Sequence, residues 1–419
     1  MINIIKKRLP VIVVCLMVLS ASTVLSDKVL GRNLFYLAIA FTSIFTAINY
    51  KKFTIQREDL LLAIAFLCVG ISQFYWFQRF PAEPDTIFMA DINYPRTATY
   101  LLLTALLVLF LPSLTATLHL GQRSQLLITL LVVVCFSYMC AVGLYYSFTH
   151  PGMRLRIDSA ATVSAYLCVL QGLLTLYVIY NINFRKKYII VLFVIGITTL
   201  VILLTQTRSV FIIYPLVLLA FALINRLWSF RTIVGSGVLL AGVLALVVGL
   251  LFHNFFDRMT QVYNQVSEYN SNNNTSVGAR ISMWKSGLYA TTVHPGGQSA
   301  AMRFHEVSHY MDVNERGNPE GKRNAVYHLH NDVIDSLSLQ GIAGGLSLIF
   351  LFISLVFYFY RKKIIGSTLA FSVMPVVGFG MVDTLFINDR FIVMLAMQVS
   401  LFVIMANKKT GNNIIDSQL

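Results

Sequence analysis

Charged residues are scarce in this sequence. Only 12% of its 419 residues are Asp, Glu, Lys or Arg, whereas 57% are hydrophobic. A water-soluble globule of this size needs more polar surface than that composition supplies, so a soluble enzyme is excluded. The composition instead predicts a membrane protein whose chain crosses the bilayer many times.

Cysteine is also scarce. The five cysteines all fall inside apolar runs, at Cys15, Cys68, Cys135, Cys140 and Cys168. Their placement predicts small buried side chains and gives no support to a disulfide framework or a thiolate metal site.

Acidic residues are fewer than basic residues, 18 against 32, which gives a formal net charge of +14. The lysines and arginines are scattered at the ends of apolar runs and form no stripe with interleaved aromatics, so nucleic acid is not a predicted partner. Anionic membrane lipids and phosphate-bearing substrates are the partners that this pattern favours.

Twelve apolar runs are long enough to cross about 30 Å of hydrocarbon. They cover residues 10–26, 30–48, 59–78, 99–118, 125–148, 159–182, 188–206, 209–225, 233–252, 333–360, 364–382 and 391–406. The first run follows Lys6, Lys7 and Arg8 as a signal peptide would, but we interpret it as an uncleaved span because another apolar run follows at once.

The predicted fold class is therefore all-α, a polytopic membrane protein with 12 transmembrane helices and a long, partly helical loop. Helices 1–9 fall in residues 1–252, the loop in 253–332, and helices 10–12 with the C-terminus in 333–419. Alternate connections carry basic residues, which predicts that they and both termini are cytoplasmic. The loop then faces the cell exterior or the periplasm, where there is no pool of nucleotides.

The loop of residues 253–332 is too long to be a mere connection. Apolar residues recur at helical spacing in 255–266 and in 281–289, which predicts two amphipathic helices over the mouth of the bundle. A Pro-Gly-Gly sequence at 295–297 should end the second helix, and the polar stretch 314–322 predicts a mobile, turn-rich excursion.

Two arginines stand out at the predicted outer side. Arg208 lies in TQTRSV, between two apolar runs with almost no loop. An ionisable side chain at such depth is costly, so a functional role is its default interpretation, with snorkelling to the interface as the alternative. Arg280 opens a predicted loop helix one turn before Trp284 and shares its face, although a lone surface arginine would be unremarkable.

A second pair, Arg154 and Arg156, lies in a short external link where basic residues are not expected. Anchoring at the membrane interface is the alternative interpretation. Arginines that converge from separate segments are suited to gripping a pyrophosphate, because a planar guanidinium binds phosphate oxygens bidentately.

His330 and Asn331 lie where the loop enters the next apolar helix. An imidazole can accept a hydroxyl proton near neutral pH, so His330 is a candidate general base. A solvent-exposed capping histidine is the alternative, and His328 competes for the role of base. Gly341, together with Gly344 and Gly345, permits close backbone approach along this helix.

The sequence His305-Glu306-Val307-Ser308-His309 matches the HExxH signature of zinc proteases. That signature needs a helix and a third ligand, and the Pro-Gly-Gly sequence at 295–297 and a polar stretch flank the motif here. Glu315 or His328 would have to supply the ligand. A pattern with three fixed positions arises by chance, so a zinc site is the weaker interpretation.

Three motifs together resemble a known superfamily. TQTRSVFI after a span, GARISMWKSGL in the loop and HNDVIDSLSLQGIAGG entering the next span look like the O-antigen ligase and polymerase superfamily of Gram-negative bacteria. The chain most resembles enterobacterial O-antigen ligases. The resemblance implies a membrane glycosyltransferase of the C type that moves O-polysaccharide from undecaprenyl pyrophosphate onto lipid A-core, at the periplasmic side of the inner membrane, without metal or nucleotide.

The resemblance also implies roles for particular residues. Arg208 and Arg280 match the two family arginines, His330 and Asn331 match its histidine-asparagine pair, and Arg156, less clearly Arg154, matches the arginine before the sixth span. His330, Arg280 and Arg208 are thus the expected catalytic residues, and Arg156, Arg154, Asn331 and Trp284 the expected substrate-binding ones. Leu339 stands where many relatives have an acidic residue, so no acid role is carried over there.

Other functions remain open on the sequence. An O-antigen polymerase shares the frame and uses two lipid-linked sugars. A membrane zinc protease would need the HExxH motif and stoichiometric metal. A lipid flippase would use the same helices without breaking bonds, but it should show helical breaks at matched positions in two halves, and the sequence has no such pairing.

Overall fold

The computed structural model describes residues 2–82, 88–116, 118, 121–181, 187–224, 242, 263–362, 371 and 373–416. Every regular element within these residues is helical. In chain order the helices are α1 Ile2–Thr23, α2 Lys28–Ile48, α3 Arg57–Arg79, α4 Met89–Thr115, α5 Gln122–Thr149, α6 Ala161–Tyr180, α7 Lys187–Thr205, α8 Arg208–Ile224, α9 Ser276–Val293, α10 Ala300–Asn314, α11 Pro319–Ala325, α12 Asp332–Arg361, α13 Pro375–Gly380 and α14 Asp389–Asp416.

Seven helices in the described part of the chain are long and apolar enough to cross a membrane: α2 to α6, α12 and residues Asp389–Asn407 of α14. Shorter apolar helices within α1, α7 and α8 coincide with the predicted first, seventh and eighth spans. The predicted span 233–252 lies outside the described residues except for residue 242, and 364–382 is described only at 371 and 373–382. The count of twelve spans stays a prediction.

The links between helices gather at two opposite ends of the bundle. At the end we call the upper end, Arg390 bonds the Asp158 carboxylate at 2.7 Å and the Leu25 carbonyl at 2.8 Å. The Leu155 amide donates to the Leu204 carbonyl there at 2.9 Å. Four segments that are far apart in sequence, at residues 25, 155–158, 204 and 390, therefore meet at the upper end.

The ends of three helices meet at the opposite, lower end. Tyr358 and Asn407 both donate to the buried Asp59 carboxylate, and Lys362 donates to Asn407 at 2.5 Å. Helices α3, α12 and α14 are thereby joined. Among the described links, 24–27 and 150–160 lie at the upper end and 49–56 lies at the lower end, as expected for antiparallel spans.

Helices α14 and α6 form the centre of the bundle. The apolar stretch of α14 is 89% buried and that of α6 is 78% buried, whereas that of α5 is 33% buried and so lies at the outer edge. Side-chain amides join the central helices, because Gln171 of α6 donates to Ser22 of α1 at 2.8 Å and Gln398 of α14 donates to the Leu170 carbonyl at 3.0 Å. Such hydrogen bonds fix how neighbouring helices align along their axes, because apolar faces alone do not select one alignment.

Helices α9, α10 and α11 pack as a layer on the upper end. The predicted helix over 281–289 is confirmed, since α9 begins at its Thr275 cap and ends at His294, just before the Pro-Gly-Gly sequence. The other predicted helix, over 255–266, lies outside the described residues up to residue 262. The turn expected within 314–322 is present at residues 315–317, just before α11. This segment packs against the layer, since Glu315 and Asn318 are buried and Glu315 binds Lys285 at 3.0 Å. Its mobility stays a prediction.

The layer is joined to the bundle at a break in α12. Gly341 has φ +73° and ψ −169°, which interrupts the helix. The Ile342 amide released by the break donates to the Pro295 carbonyl at 3.0 Å, and the Gln298 amide donates to the Leu339 carbonyl at 2.9 Å. A Cβ at position 341 would lie 2.4 Å from the Pro295 oxygen, so only glycine allows this approach.

Candidate active site

His330 is held in an uncommon backbone conformation at the upper end. Its φ is +52°, in the left-handed region that non-glycine residues seldom adopt. Bonds on both sides hold it: the Leu329 amide donates to Asp335 at 2.9 Å, and the Asn331 amide donates to the Thr384 hydroxyl at 3.2 Å. The Trp284 indole donates to the His330 carbonyl at 3.2 Å. Backbone strain that its surroundings maintain in this way is typical of functional sites.

Asn331 and Asp332 attach the link 381–388 to the start of α12. The Asn331 side chain caps the helix by accepting from the Val333 and Ile334 amides, and its Nδ2 donates to the Met381 carbonyl at 3.0 Å. Asp332 Oδ1 accepts from the amides at 385 and 386 at 2.7 and 2.9 Å. The link therefore keeps a fixed position relative to His330.

This link carries Asp383, which contacts His330 directly. The distance between His330 Nδ1 and Asp383 Oδ1 is 2.9 Å. Burial alone would raise the pKa of the Asp383 carboxyl, but the hydrogen bond and charge of His330, with the charges of His328 and Arg280, outweigh it and hold that pKa well below its usual range. Asp383 is thus an anion at neutral pH, so Nδ1 of His330 donates to it, and Nε2 is the ring nitrogen that takes no part in this pair.

Sequence reasoning missed Asp383. The signal was present, because an ionisable residue in a short link between two apolar runs is the argument that singled out Arg208. What the sequence lacked was any indication that the link 381–388 folds against residue 330, which is 53 positions away.

His328 is the weaker candidate for the base. Burial and the neighbouring charge of His330 lower the pKa of His328 to about 4, so it is neutral and a poor proton acceptor at pH 7. Its Nδ1 is 3.7 Å from Asp383 and accepts from the His330 amide at 3.3 Å. Its ring packs edge-on against His330, with centroids 4.3 Å apart. His328 therefore orients the loop.

The structure brings two of the singled-out arginines to the surroundings of Asp383. Arg280, half-buried on α9, acts on Asp383 through its charge and lies one turn before Trp284, whose indole bonds the His330 carbonyl. Arg208, also half-buried, is the first residue of α8. The next residue, Ser209, contacts the Tyr166 hydroxyl at 3.0 Å.

The other two arginines, Arg154 and Arg156, both lie in the link 150–160. Leu155 and Ile157 are fully buried, so the alternating residues Arg154 and Arg156 are directed outward. Arg154 Nε donates to the Thr205 carbonyl at 2.9 Å, which places this arginine against the link that precedes Arg208. Arg156 is exposed at the same upper end.

Two expected substrate-binding residues have their polar atoms engaged within the protein. The Trp284 indole N–H is bound to the His330 carbonyl, and both ends of the Asn331 amide are bound to backbone groups. These bonds make Trp284 and Asn331 supports for the base.

Among the described residues, one cluster brings three metal-ligating side chains together: the ligand atoms of His328, His330 and Asp383 lie within 4.8 Å of one another. The separation of 2.9 Å between His330 and Asp383 is that of a hydrogen bond. The neighbouring arginine charge disfavours a cation there. The geometry therefore fits a hydrogen-bonded pair better than a metal centre.

The HExxH motif does lie on a helix, α10. His305 and His309 are exposed on it, with parallel rings 6.5 Å apart. The two candidates for a third ligand are engaged elsewhere, Glu315 with Lys285 and His328 beside Asp383. This arrangement gives no support to a zinc protease.

A comparison with known families matches residues 191–349 to a family model described as O-Antigen ligase. The matched range contains Arg208, Arg280 and His330, and it ends before Asp383. The curated O-antigen ligase of Escherichia coli (strain K12) is 25% identical over 362 residues, which cover 85% of this chain and 84% of that protein. The resemblance to O-antigen ligases is confirmed.

Proposed function

We propose that this protein is an O-antigen ligase of lipopolysaccharide biosynthesis. It transfers O-polysaccharide from undecaprenyl pyrophosphate to a sugar of lipid A-core at the periplasmic side of the bacterial inner membrane. The similarity to O-antigen ligases supports the reaction class. The observation that carries the proposal is the pairing of His330 with Asp383 at 2.9 Å, at the end of the bundle where the arginine-bearing segments meet.

In this proposal His330 is the general base. Asp383 accepts the Nδ1 proton and stabilises the imidazolium that forms, so Nε2 takes the proton of the acceptor hydroxyl. The acceptor oxygen then attacks the anomeric carbon of the donor sugar. A positioned base contributes about 10² to 10⁴ in rate, which a sugar hydroxyl needs because it is a poor nucleophile near neutral pH.

The arginines stabilise the leaving group. As the bond between the anomeric carbon and the phosphate oxygen breaks, its electron pair stays on undecaprenyl pyrophosphate. Pyrophosphate is a good leaving group, so the main requirement is positive charge where negative charge develops. We assign this role to Arg208, Arg280 and Arg156, with Arg154 bracing the Arg208 link. A single displacement inverts the anomeric centre, and no step here requires a metal or a nucleotide.

The direct test is a ligation assay with purified protein, lipid-linked donor and core acceptor. We expect His330→Ala and Arg280→Ala to abolish product formation. His309→Ala and Arg323→Ala are matched controls, because both side chains are exposed and make no contact with His330 or Asp383. Normal ligation by His330→Ala would reject the assigned base, and loss of activity in His309→Ala would revive the HExxH interpretation.

A cellular assay separates the ligase from a polymerase. If the protein is a ligase, cells that lack it should carry bare core. If it is a polymerase, they should carry core with a single repeat unit. Gel analysis of lipopolysaccharide from the deletion strain decides between the two.

A further inference from the structure

A buried tyrosine joins the two halves of the candidate site. Tyr166, on α6, is 1% exposed. Its hydroxyl lies 3.1 Å from Asp383 Oδ2 and 3.0 Å from the Ser209 hydroxyl. Its ring packs on Phe379, with centroids 4.6 Å apart. Tyr166 therefore contacts the link that carries Asp383 and the start of the helix that carries Arg208.

The direction of these hydrogen bonds follows from the chemistry of the groups. An ionised carboxylate only accepts, so the single O–H of Tyr166 donates to Asp383. The phenol oxygen then accepts from Ser209. A continuous chain results, in which Ser209 donates to Tyr166, Tyr166 donates to Asp383, and His330 donates to the other carboxylate oxygen.

Both oxygens of Asp383 are thereby fixed. Oδ1 accepts from His330 at 2.9 Å and from the Thr384 amide at 2.9 Å, and Oδ2 accepts from Tyr166. Without the tyrosine hydroxyl, Oδ2 would lose this donor in a buried site and the carboxylate plane would be free to turn. The orientation of the His330 ring depends on that plane.

We propose that Tyr166 is a positioning residue of the transfer reaction. Its hydroxyl holds the Asp383 carboxylate in the plane that aligns the base. Through Ser209 it also holds the start of α8, so that Arg208 and His330 keep one relative geometry. This inference rests on the proposed ligase function and extends it, because the same side chain couples proton transfer to stabilisation of the leaving group.

The first test is Tyr166→Phe in the purified ligation assay. The substitution keeps the ring on Phe379 and removes only the hydroxyl. We expect kcat to fall by about 10- to 100-fold, because a misplacement of about 1 Å in a catalytic group has an effect of that order. The KM for the lipid-linked donor should change little. Tyr214→Phe is the control, since Tyr214 is also buried in the bundle, on α8, and makes no contact with Asp383.

The second test is a double-mutant cycle with Asp383→Asn, measured in single turnovers. Because part of the effect of Tyr166 runs through Asp383, the loss of rate caused by Tyr166→Phe should be several-fold smaller in the Asp383→Asn background than in the wild type. A merely structural tyrosine would give a second, multiplicative loss. Additive losses in the cycle, or a kcat for Tyr166→Phe equal to that of the wild type, would overturn the inference.

Should Tyr166→Phe fail to fold, as judged by its melting temperature against Tyr214→Phe, Ser209→Ala tests the other end of the chain. It should lower kcat several-fold at constant KM, and an unchanged kcat would contradict the coupling. A wild-type protein that forms no product would instead reject the ligase function. The failure of the inference and that of the function are therefore distinguishable.

Discussion

At the scale of single residues, the site depends on protonation states that burial sets. Asp383 is buried and still anionic, because the hydrogen bond from His330 and the charge of Arg280 help to outweigh burial and hold its pKa low. His328, whose side chain is 17% exposed, is neutral at pH 7, with a pKa of about 4. The pKa values of these two groups, which lie only 3.7 Å apart, are therefore both lowered. As a result Asp383 is charged and His328 is neutral at pH 7.

The pKa of His328 predicts how stability depends on pH. The pKa of about 4 in the folded protein lies below the ordinary histidine pKa of 6.5, so the unfolded chain binds more protons between these pH values. The groups that face His328 are His330, Asp383, Asp335 and Arg303. Its contribution is fully present above pH 6.5 and falls by up to about 3 kcal/mol as the pH drops to 4.

Thermal unfolding in detergent at pH 7.5 and 4.5 checks this dependence. His328→Gln should lose less stability between the two pH values than the wild type loses. His309→Gln, a change to an exposed histidine, should behave as the wild type does. Asp383 does not interfere, because a carboxyl with a lowered pKa loses its contribution only below the usual carboxyl range. Equal losses in all three proteins would contradict the assignment.

At the scale of elements, α10 contributes a buried ion pair. Arg303 is 0% exposed and binds Asp335 at 2.7 Å, and Asp335 also accepts from the Leu329 amide just before His330. Tyr94 of α4 donates to the second oxygen of Asp335 at 3.1 Å. The helix that carries HExxH therefore supports the His330 loop through Arg303, while its histidines face outward.

Breaking this pair should destabilise the protein strongly. Arg303→Met leaves the Asp335 charge buried without its partner, for which we expect a loss of about 3–5 kcal/mol. Arg323→Met is the matched change, because Arg323 pairs with Glu320 at the surface with 75% of its side chain exposed. That change should cost about 0–1 kcal/mol. Chemical unfolding followed by tryptophan fluorescence compares them, and equal losses would show that the buried pair contributes little.

The break in α12 makes a second prediction at this scale. Gly341→Ala puts a Cβ against the Pro295 carbonyl in a conformation that only glycine adopts readily, so we expect a loss of at least about 1–3 kcal/mol. In the control Gly196→Ala, the new Cβ meets nothing within 4 Å. That variant should be as stable as the wild type or slightly more so. Equal melting temperatures for the two variants would mean that the close contact between the Pro295 carbonyl and Gly341 does not stabilise the protein.

At the scale of the whole molecule, the upper end should face the periplasm. Met153 is 62% exposed in an upper link, and Tyr50 is 66% exposed in a lower link. With the five native cysteines replaced, a membrane-impermeant maleimide should label Met153→Cys in cells whose outer membrane is permeabilised. Tyr50→Cys should react only after lysis. The opposite labelling pattern would place the site in the cytoplasm and remove it from its proposed substrates.

Most of the helical frame could be predicted from the sequence because hydropathy is a local property. The apolar runs between residues 30 and 206 predict α2 to α7, with differences mainly at the helix ends. The largest concerns α4, which begins at Met89 rather than near residue 99. Its first turns are polar but bury Tyr94 against Trp76, whose rings lie 5.1 Å apart, and this tertiary contact has no signal in hydropathy.

The residues of the candidate site also divide into those that the sequence predicted and those that it did not. Arg208 stood out because an ionisable residue at a membrane edge is costly, and that cost is visible in the neighbouring residues alone. His330 stood out because it lies where the loop enters an apolar helix, and Arg280 because its motif resembles that of the O-antigen ligases. Asp383 and Tyr166 did not stand out. Their importance comes from contacts across 53 and 217 positions.

The sequence by itself thus determined the membrane class, the positions of α2 to α7 and the histidine and arginines of the candidate site, since each follows from residues near one another in the chain. Only the tertiary structure decided which acid pairs with His330, that α10 supplies Arg303 to the core, and that the Pro295 carbonyl packs against Gly341. The physical reason is that hydrogen bonds and ion pairs act over about 3 Å in space, whichever distance along the chain separates their partners.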